Sequence, residues 1–114
     1  MLEQGDVRLV VGTPGGPTII NTVFQVIMNV LDFGLNVQQA VDQPRFHHQW
    51  LPDITKFERL GISPDTRNLY QMMGHRTELN RSQGRAMGIY IDHENNMIYG
   101  AADSRSPDGR AIGY

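Results

Sequence analysis

The sequence predicts an α+β fold with about three helices and five or six strands. Three observations lead to this class: a β-branched run near the N-terminus, a long stretch with apolar residues at three- and four-residue spacing, and two apolar runs near the C-terminus. No segment repeats with a period of about 20 to 50 residues, which argues against a repeat protein. Strands from both ends of the chain can meet in one main sheet, with the long helix packed on its face.

The first strand is expected between Asp6 and Gly12, where an apolar run makes a mostly buried strand. Residues 13–17, Thr-Pro-Gly-Gly-Pro, form a sharp turn, and the second proline suits the first position of a helix. This helix should continue to Gly34, which can end it. Truncation of Phe24 to alanine would cost about 3 to 5 kcal/mol if the ring is fully buried. The apolar stripe of the helix consists of Ile19, Ile20, Val23, Phe24, Ile27, Val30 and Leu31.

Local signals also mark the later elements. Asn36 can cap a short second helix, with Gln39 reaching back to it and Pro44 ending it. Ser63 caps a third helix that Gly74 closes. Extended segments are predicted at 45–50, 55–60, 86–92 and 96–102, the last two as a hairpin.

The charge and composition exclude several classes of function. The chain has 114 residues and a formal charge of −2, with charges of both signs spread evenly, so we expect no nucleic-acid partner. Cysteine is absent, which excludes disulfides, thiolate metal sites and thiol nucleophiles. Polar residues interrupt every apolar stretch, so no membrane span is expected. The first residues lack the pattern of a signal peptide.

The turn after the first strand is the main candidate for chemistry. Consecutive glycines allow a backbone to approach a ligand closely, and free N–H groups at the start of a helix point toward negative charge. Gly15 and Gly16 are therefore candidates for stabilising an oxyanion in acyl transfer, where one donor is worth about 3 kcal/mol. A plain tight turn explains the same residues. The phosphate-loop pattern is not met, because no Gly-Lys-Ser/Thr follows.

Other polar residues are weaker candidates. His47 and His48 would point to opposite faces of a strand and cannot easily bind one metal, so packing or hydrogen bonding explains them better. None of the serines lies in a Gly-x-Ser-x-Gly motif or beside a histidine, so no nucleophile is apparent. Asp103 and Arg105 can form a local ion pair that pins the chain.

Several stretches, in order, carry a resemblance to a known family. The longest is residues 40–53, Ala-Val-Asp-Gln-Pro-Arg-Phe-His-His-Gln-Trp-Leu-Pro-Asp. The others are 12–16, 19–23, 29–34, 100–105 and the terminal Gly113-Tyr114. Together they resemble the γ-glutamyltransferases of the N-terminal nucleophile hydrolase superfamily, over roughly residues 6–114.

The resemblance implies that residues 1–114 are a single partial domain, the C-terminal portion of the small subunit, within an αββα sandwich. It implies a proenzyme that cleaves itself into a large and a small subunit and so frees a threonine nucleophile. That threonine would attack the γ-glutamyl carbonyl of glutathione or a related amide, and the acyl-enzyme would pass to water, an amino acid or a peptide. No metal or organic cofactor is implied. The implied partners are the remainder of the small subunit and the large subunit.

Carried over position by position, Gly15 and Gly16 fall on the glycine pair whose backbone N–H groups form the oxyanion hole and contact the substrate. Thr13 stands where the family usually has serine, a change that a backbone role tolerates. The nucleophilic threonine, the family's paired serines, and the residues that hold the substrate's α-amino and α-carboxylate groups are expected before Met1. The fragment alone is therefore expected to be inactive.

Two alternatives remain open. Family relatives include cephalosporin acylases and polyglutamate hydrolases, so the same fold can act on a different acyl group. The chain could instead be a non-catalytic stand-alone module on the same scaffold. Bacterial relatives are commonly periplasmic or secreted, but the location of this chain is left open.

Overall fold

The structure is a computed structural model, and it describes residues 1–113. These residues form two compact units. The first unit is Met1–Asp42 together with the segment that starts at Gly84, and the second unit is Gln43–Gln83. That residues 1–114 make up one partial domain stays a prediction.

The described residues contain strands, helices and one 3₁₀ turn, Gly16–Thr18. The helices are α1 (Ile19–Leu31), α2 (Val37–Asp42) and α3 (Pro64–Met72). The strands are β1 (Leu2–Glu3), β2 (Asp6–Val7), β3 (Leu9–Gly12), β4 (Phe46–His47), β5 (Thr55–Glu58), β6 (Thr77–Asn80), β7 (Met87–Asp92) and β8 (Met97–Ala102). Of the helices in this part of the chain, none is long and apolar enough to cross a membrane.

The first unit contains an antiparallel sheet in the order β3-β7-β8. The predicted hairpin is confirmed as β7 and β8, and β3 joins it, so strands from the two ends of the chain meet as predicted. The expectation of one main sheet is wrong, because the second unit contains a separate three-stranded sheet and β1 pairs with β2 alone. The second sheet was not anticipated because β6, Thr-Glu-Leu-Asn, lacks an apolar run.

The core of the first unit lies between the sheet and helices α1 and α2, as expected for the long helix. Its buried residues are Leu9, Val26, Val37, Ala40, Val41, Ala86 and Ala101. Gly88 permits this packing, because a Cβ there would lie 2.7 Å from Cγ2 of Val37. The predicted cap of α2 is confirmed: Asn36 Oδ1 accepts the N–H of Gln39 at 2.9 Å, and Gln39 Oε1 accepts the N–H of Asn36 at 3.2 Å.

Two predictions of burial in the first unit are wrong. The first strand was expected to be mostly buried, yet Val10 is 51% exposed because alternate residues of β3 point away from the helices. Phe24 is 56% exposed, so its expected full burial is also wrong. The apolar stripe of α1 is wider than the face that the sheet and α2 cover, and the fully buried residues of α1 are Thr22 and Val26.

The second unit contains the sheet β4-β5-β6. Strand β4 runs antiparallel to β5, and β6 runs parallel to β5 after a crossover through α3. The predicted start of α3 is confirmed, since Ser63 Oγ accepts the N–H of Thr66 at 3.2 Å and Pro64 is the first helical residue. Gly74, with φ of 97°, follows the end of the helix as predicted.

Polar groups fill the interior of the second unit. The buried Glu58 carboxylate accepts the backbone N–H of Arg45 at 2.9 Å and the backbone N–H of Gln83. The buried Arg45 guanidinium donates to the Gln83 carbonyl at 2.6 Å, and the Gln83 amide donates to the Phe46 carbonyl at 3.1 Å. These bonds join β4 and β5 to Gln83, the last residue of the second unit.

Candidate active site

The glycine loop, residues 13–16, connects β3 to the 3₁₀ turn that precedes α1. Its two glycines have positive φ values, 148° at Gly15 and 57° at Gly16. A residue with a side chain rarely adopts such values, and Gly15 lies where essentially only glycine is found. Glycine is therefore required at position 15 and favoured at position 16 for this turn.

The surroundings of the two glycines differ. A Cβ on Gly15 would lie 2.5 Å from Oγ1 of Thr18, which is too close for any real contact. A Cβ on Gly16 would meet no atom of residues 1–113 within 4 Å. Gly15 is thus required by both conformation and space, whereas Gly16 is favoured by conformation and faces open space.

Hydrogen bonds fix the planes of the Pro14–Gly15 and Gly15–Gly16 peptides. The Gly15 carbonyl accepts the Thr18 N–H at 3.2 Å and the Thr18 hydroxyl at 3.0 Å. The Pro14 carbonyl accepts the Thr13 hydroxyl at 2.8 Å. In a trans peptide the carbonyl and the following N–H point in opposite directions. The N–H groups of Gly15 and Gly16 therefore point away from Thr13 and Thr18.

The backbone brings these two N–H groups next to each other. The ψ angle of Gly15 is 6°. This angle describes rotation about the Cα–C bond of Gly15, and a value near 0° puts the nitrogens of Gly15 and Gly16 on the same side of that bond. Both glycines are exposed, and neither N–H donates a hydrogen bond to another residue within 1–113. Two adjacent donors at the positive end of a helix suit a small anionic oxygen.

A second segment of the first unit supports the loop. The Arg85 N–H donates to the Thr13 hydroxyl at 2.9 Å. Gly84 precedes it with φ of 67°, and a Cβ there would lie 2.8 Å from Thr13 Oγ1 and 2.9 Å from Thr22 Oγ1. Segment 84–85 can lie against the loop because Gly84 lacks a side chain. Sequence reasoning missed this support, since a lone glycine in a polar stretch carries no distinguishing signal.

An acidic residue anchors the same segment. Asp103 is 1% exposed, and its Oδ2 accepts the Ala86 N–H at 2.8 Å. The predicted ion pair is confirmed, because Arg105 Nη1 lies 2.9 Å from Asp103 Oδ1. Asp42 accepts the Ser104 N–H at 3.0 Å. Burial by itself raises the pKa of Asp42, but hydrogen bonds from Gln38 and Ser104 outweigh it and lower that pKa overall.

The two neighbouring histidines make separate hydrogen bonds. His47 is buried and its Nε2 lies 2.9 Å from Gln49 Oε1, whereas His48 is exposed and its Nε2 lies 3.1 Å from Asp53 Oδ1. Among residues 1–113, no group of three or more metal-ligating side chains could hold an ion. The predicted hydrogen-bonding role of these residues is confirmed.

With this geometry in place, comparison with known proteins decides the family. The profile of the family described as Gamma-glutamyltranspeptidase matches residues 1–113. The chain belongs to the γ-glutamyltranspeptidase family. The family suggested by residues 12–16 and 40–53 is thereby confirmed.

Individual members of the γ-glutamyltranspeptidase family agree over nearly the whole chain. The glutathione hydrolase proenzyme of Escherichia coli (strain K12) is 43% identical over 114 residues, which are 100% of this chain and 19% of that protein. A Helicobacter pylori γ-glutamyltranspeptidase T380A mutant superposes with a TM-score of 0.87 and 39% identity, over 93% of this chain and 58% of that one.

A third relative is an acivicin-inhibited γ-glutamyltranspeptidase. Its crystal structure is described as revealing critical roles for the C-terminus of that protein in autoprocessing and catalysis. It superposes with a TM-score of 0.89 and 38% identity, over 94% of this chain and 58% of that one. These superpositions confirm the predicted α+β class of the N-terminal nucleophile hydrolases. The chain spans about a fifth of the length of the E. coli relative.

Proposed function

We propose that Gly15 and Gly16 form the backbone oxyanion hole of an enzyme that transfers or hydrolyses γ-glutamyl groups. The observation that carries this proposal is the pair of adjacent, exposed N–H groups, which donate to no residue within 1–113. Their peptide planes are fixed before any ligand binds, because the Pro14 and Gly15 carbonyls are already hydrogen-bonded. Preorganised donors of this kind stabilise charge without reorganisation cost during the reaction.

In the proposed reaction, a threonine at the N-terminus of the small subunit attacks the γ-glutamyl carbonyl carbon. The carbonyl oxygen becomes negatively charged and accepts hydrogen bonds from the N–H groups of Gly15 and Gly16. The C–N bond then breaks, and the amine leaves with a proton while the acyl group stays on the threonine oxygen. Water or an acceptor amine attacks this ester in turn, and the same two donors serve the second tetrahedral intermediate. The reaction calls on no metal or organic cofactor.

Glutathione and related γ-glutamyl amides are the proposed substrates. The support is the 43% identity to a protein named a glutathione hydrolase proenzyme, in a match that covers 100% of this chain. A related acylase or polyglutamate hydrolase would use the same oxyanion donors on a different acyl group. Parallel assays with γ-glutamyl, polyglutamyl and cephalosporin amides separate these activities.

The proposed partners are the large subunit and the remainder of the small subunit of the same proenzyme. An apolar face of the β3-β7-β8 sheet supports this proposal. By strand alternation and register, Val10 and Ile89 lie opposite each other on the face away from α1 and α2, and both are about half exposed. Met87 and Ile98 continue that face and are also exposed. Such a surface is typical of a sheet that another part of the protein covers.

The function is tested by assaying the full-length protein with a chromogenic γ-glutamyl amide. We expect self-cleavage and release of the chromophore. Gly16→Ala should lower kcat by about tenfold or more, because alanine disfavours the φ of 57° that this residue adopts beside the donors. Gly34→Ala is the matched control: Gly34 has φ of 64°, and its Cβ would also meet no described atom within 4 Å. A full-length protein that neither cleaves itself nor releases chromophore would contradict the proposal.

A further inference from the structure

We infer that Thr13 is a positioning residue for the oxyanion donors, acting through its hydroxyl. This inference rests on the proposed function of Gly15 and Gly16. The Thr13 hydroxyl donates to the Pro14 carbonyl at 2.8 Å and accepts the Arg85 N–H at 2.9 Å. One oxygen therefore links the plane of the Pro14–Gly15 peptide to a segment about 70 residues away in sequence.

The direction of the Gly15 N–H follows from this link. In the trans Pro14–Gly15 peptide, the N–H points opposite to the carbonyl that Thr13 holds. Rotation of the peptide plane would turn the N–H away from its fixed direction and would break the bond to the hydroxyl. The Arg85 N–H in turn limits the positions that the hydroxyl oxygen can take. Thr13 thus selects one orientation of the first donor.

Gly84 makes the link possible. A Cβ at this position would lie 2.8 Å from Thr13 Oγ1, and the φ of 67° already disfavours a side chain. A larger residue would require a shift of the Thr13 hydroxyl, the Thr22 hydroxyl or segment 84–85, and a shift of the first or the last disturbs the bond to the Arg85 N–H. Asp103 holds the other end of this segment through the Ala86 N–H at 2.8 Å.

A second threonine beside Gly84 provides an internal control. Thr22 lies on α1 and is 0% exposed, and a Cβ on Gly84 would be 2.9 Å from its Oγ1. Its hydroxyl has no hydrogen-bond partner among the described residues. Thr13 and Thr22 therefore flank the same glycine, but hydrogen bonds engage the hydroxyl of Thr13 and not that of Thr22. Replacement of each by valine keeps the shape and removes the oxygen.

The test uses the full-length protein and a chromogenic γ-glutamyl amide. Thr13→Val should lower kcat by about tenfold or more and change KM by less than about twofold, because the oxyanion exists only after attack. Thr13→Ser, which keeps the oxygen, should retain kcat within about threefold, and Thr22→Val should leave kcat unchanged. Unchanged kcat in Thr13→Val overturns the inference. An equal loss in Thr22→Val also overturns it, since the effect would then come from packing.

Hydrogen exchange separates this inference from the proposed function. The Arg85 amide should exchange at least about tenfold faster in Thr13→Val than in the wild type or in Thr13→Ser. Unchanged exchange at Arg85 means that the link does not exist, whatever the enzymatic activity. Faster exchange at Arg85 with wild-type kcat means that the link exists but does not position the donors, which overturns the inference. If the wild-type protein has no γ-glutamyl activity, that result contradicts the proposed function and therefore also the role inferred for Thr13.

Discussion

The two units of the chain are built around different interiors. In the first unit the buried side chains are mostly apolar and form one cluster around Leu9 and Val26. In the second unit the buried side chains are mostly polar, and the Glu58 carboxylate receives two backbone N–H groups. An apolar core stabilises by area removed from water, whereas a buried polar network is stable only while every member keeps its partner.

This difference matters because the glycine loop belongs to the first unit. Its support comes from β3, α1 and segment 84–86, which are packed on or next to the apolar core. Damage to the polar network should therefore act first on the second unit, and damage to the apolar core should act directly on the loop. Hydrogen exchange at strand amides measures the two units separately in one protein.

The largest effect is expected for Glu58→Ala. The change leaves the buried N–H groups of Arg45 and Gln83 without their acceptor, at a cost of about 4 kcal/mol. Amide protection should fall in β5 and not in β7. Glu78→Ala, on the neighbouring strand β6 but exposed, is the control. Equal loss of protection in β5 and β7 would show that the two units open together.

A smaller effect is expected for Leu9→Ala in the first unit. Leu9 is fully buried, and its truncation should cost about 3 kcal/mol through lost apolar contacts and the cavity left behind. Protection should now fall in β7, the neighbour of β3. Val10→Ala, at the next position of the same strand but half exposed, should cost less than about 1 kcal/mol. Equal costs for the two changes would contradict the assigned faces of the sheet.

Ser63→Ala should cost about 1 kcal/mol and act on the second unit alone. The substitution removes the hydroxyl that accepts the Thr66 N–H at the start of α3. Ser63→Asp should restore the cap, since an aspartate side chain accepts the same N–H. The measurement is amide exchange in the first turn of α3, and unchanged exchange in Ser63→Ala would refute the cap.

The smallest effect is expected from the titration of Asp42 in the first unit. Its pKa is lowered in the folded state, so its contribution to stability is complete above about pH 4 and is lost as the pH falls through the lowered pKa. Asp42→Asn should therefore flatten part of the acid dependence of β7 protection. Unfolding curves between about pH 2 and pH 6 check this. An identical acid dependence in Asp42→Asn would contradict the assigned hydrogen bonds.

The elements that sequence predicted well depend on local chemistry. Prolines and glycines mark the turn before α1, and Asn36 and Ser63 cap their helices. Two apolar runs joined by a polar loop identify the terminal hairpin. Strand β6 escaped prediction because its pairing with β5 comes from long-range contacts rather than from its own polar sequence.

The candidate site also contains residues that local sequence predicts and residues that only the fold brings together. Gly15 and Gly16 could be singled out because adjacent glycines between a strand and a helix form a local signal. Gly84 and the hydroxyl link of Thr13 to Arg85 could not, because they depend on residues about 70 positions apart meeting in the fold. The exposure of Phe24 was missed for a related reason: the width of an apolar stripe does not tell which part of it is covered.

The backbone N–H groups of Gly15 and Gly16 are proposed to stabilise the oxyanion. The most direct measurement replaces Gly16 by glycolic acid in the full-length protein, which exchanges the N–H for an ester oxygen and alters no side chain. The same replacement at Gly34, which is also exposed and has a positive φ, controls for the presence of an ester bond in an exposed turn. We predict that kcat for a chromogenic γ-glutamyl amide falls by about 100-fold for the ester at Gly16 and stays near the wild-type value for the ester at Gly34. Wild-type kcat with the ester at Gly16, or equal losses at both positions, would contradict the claim.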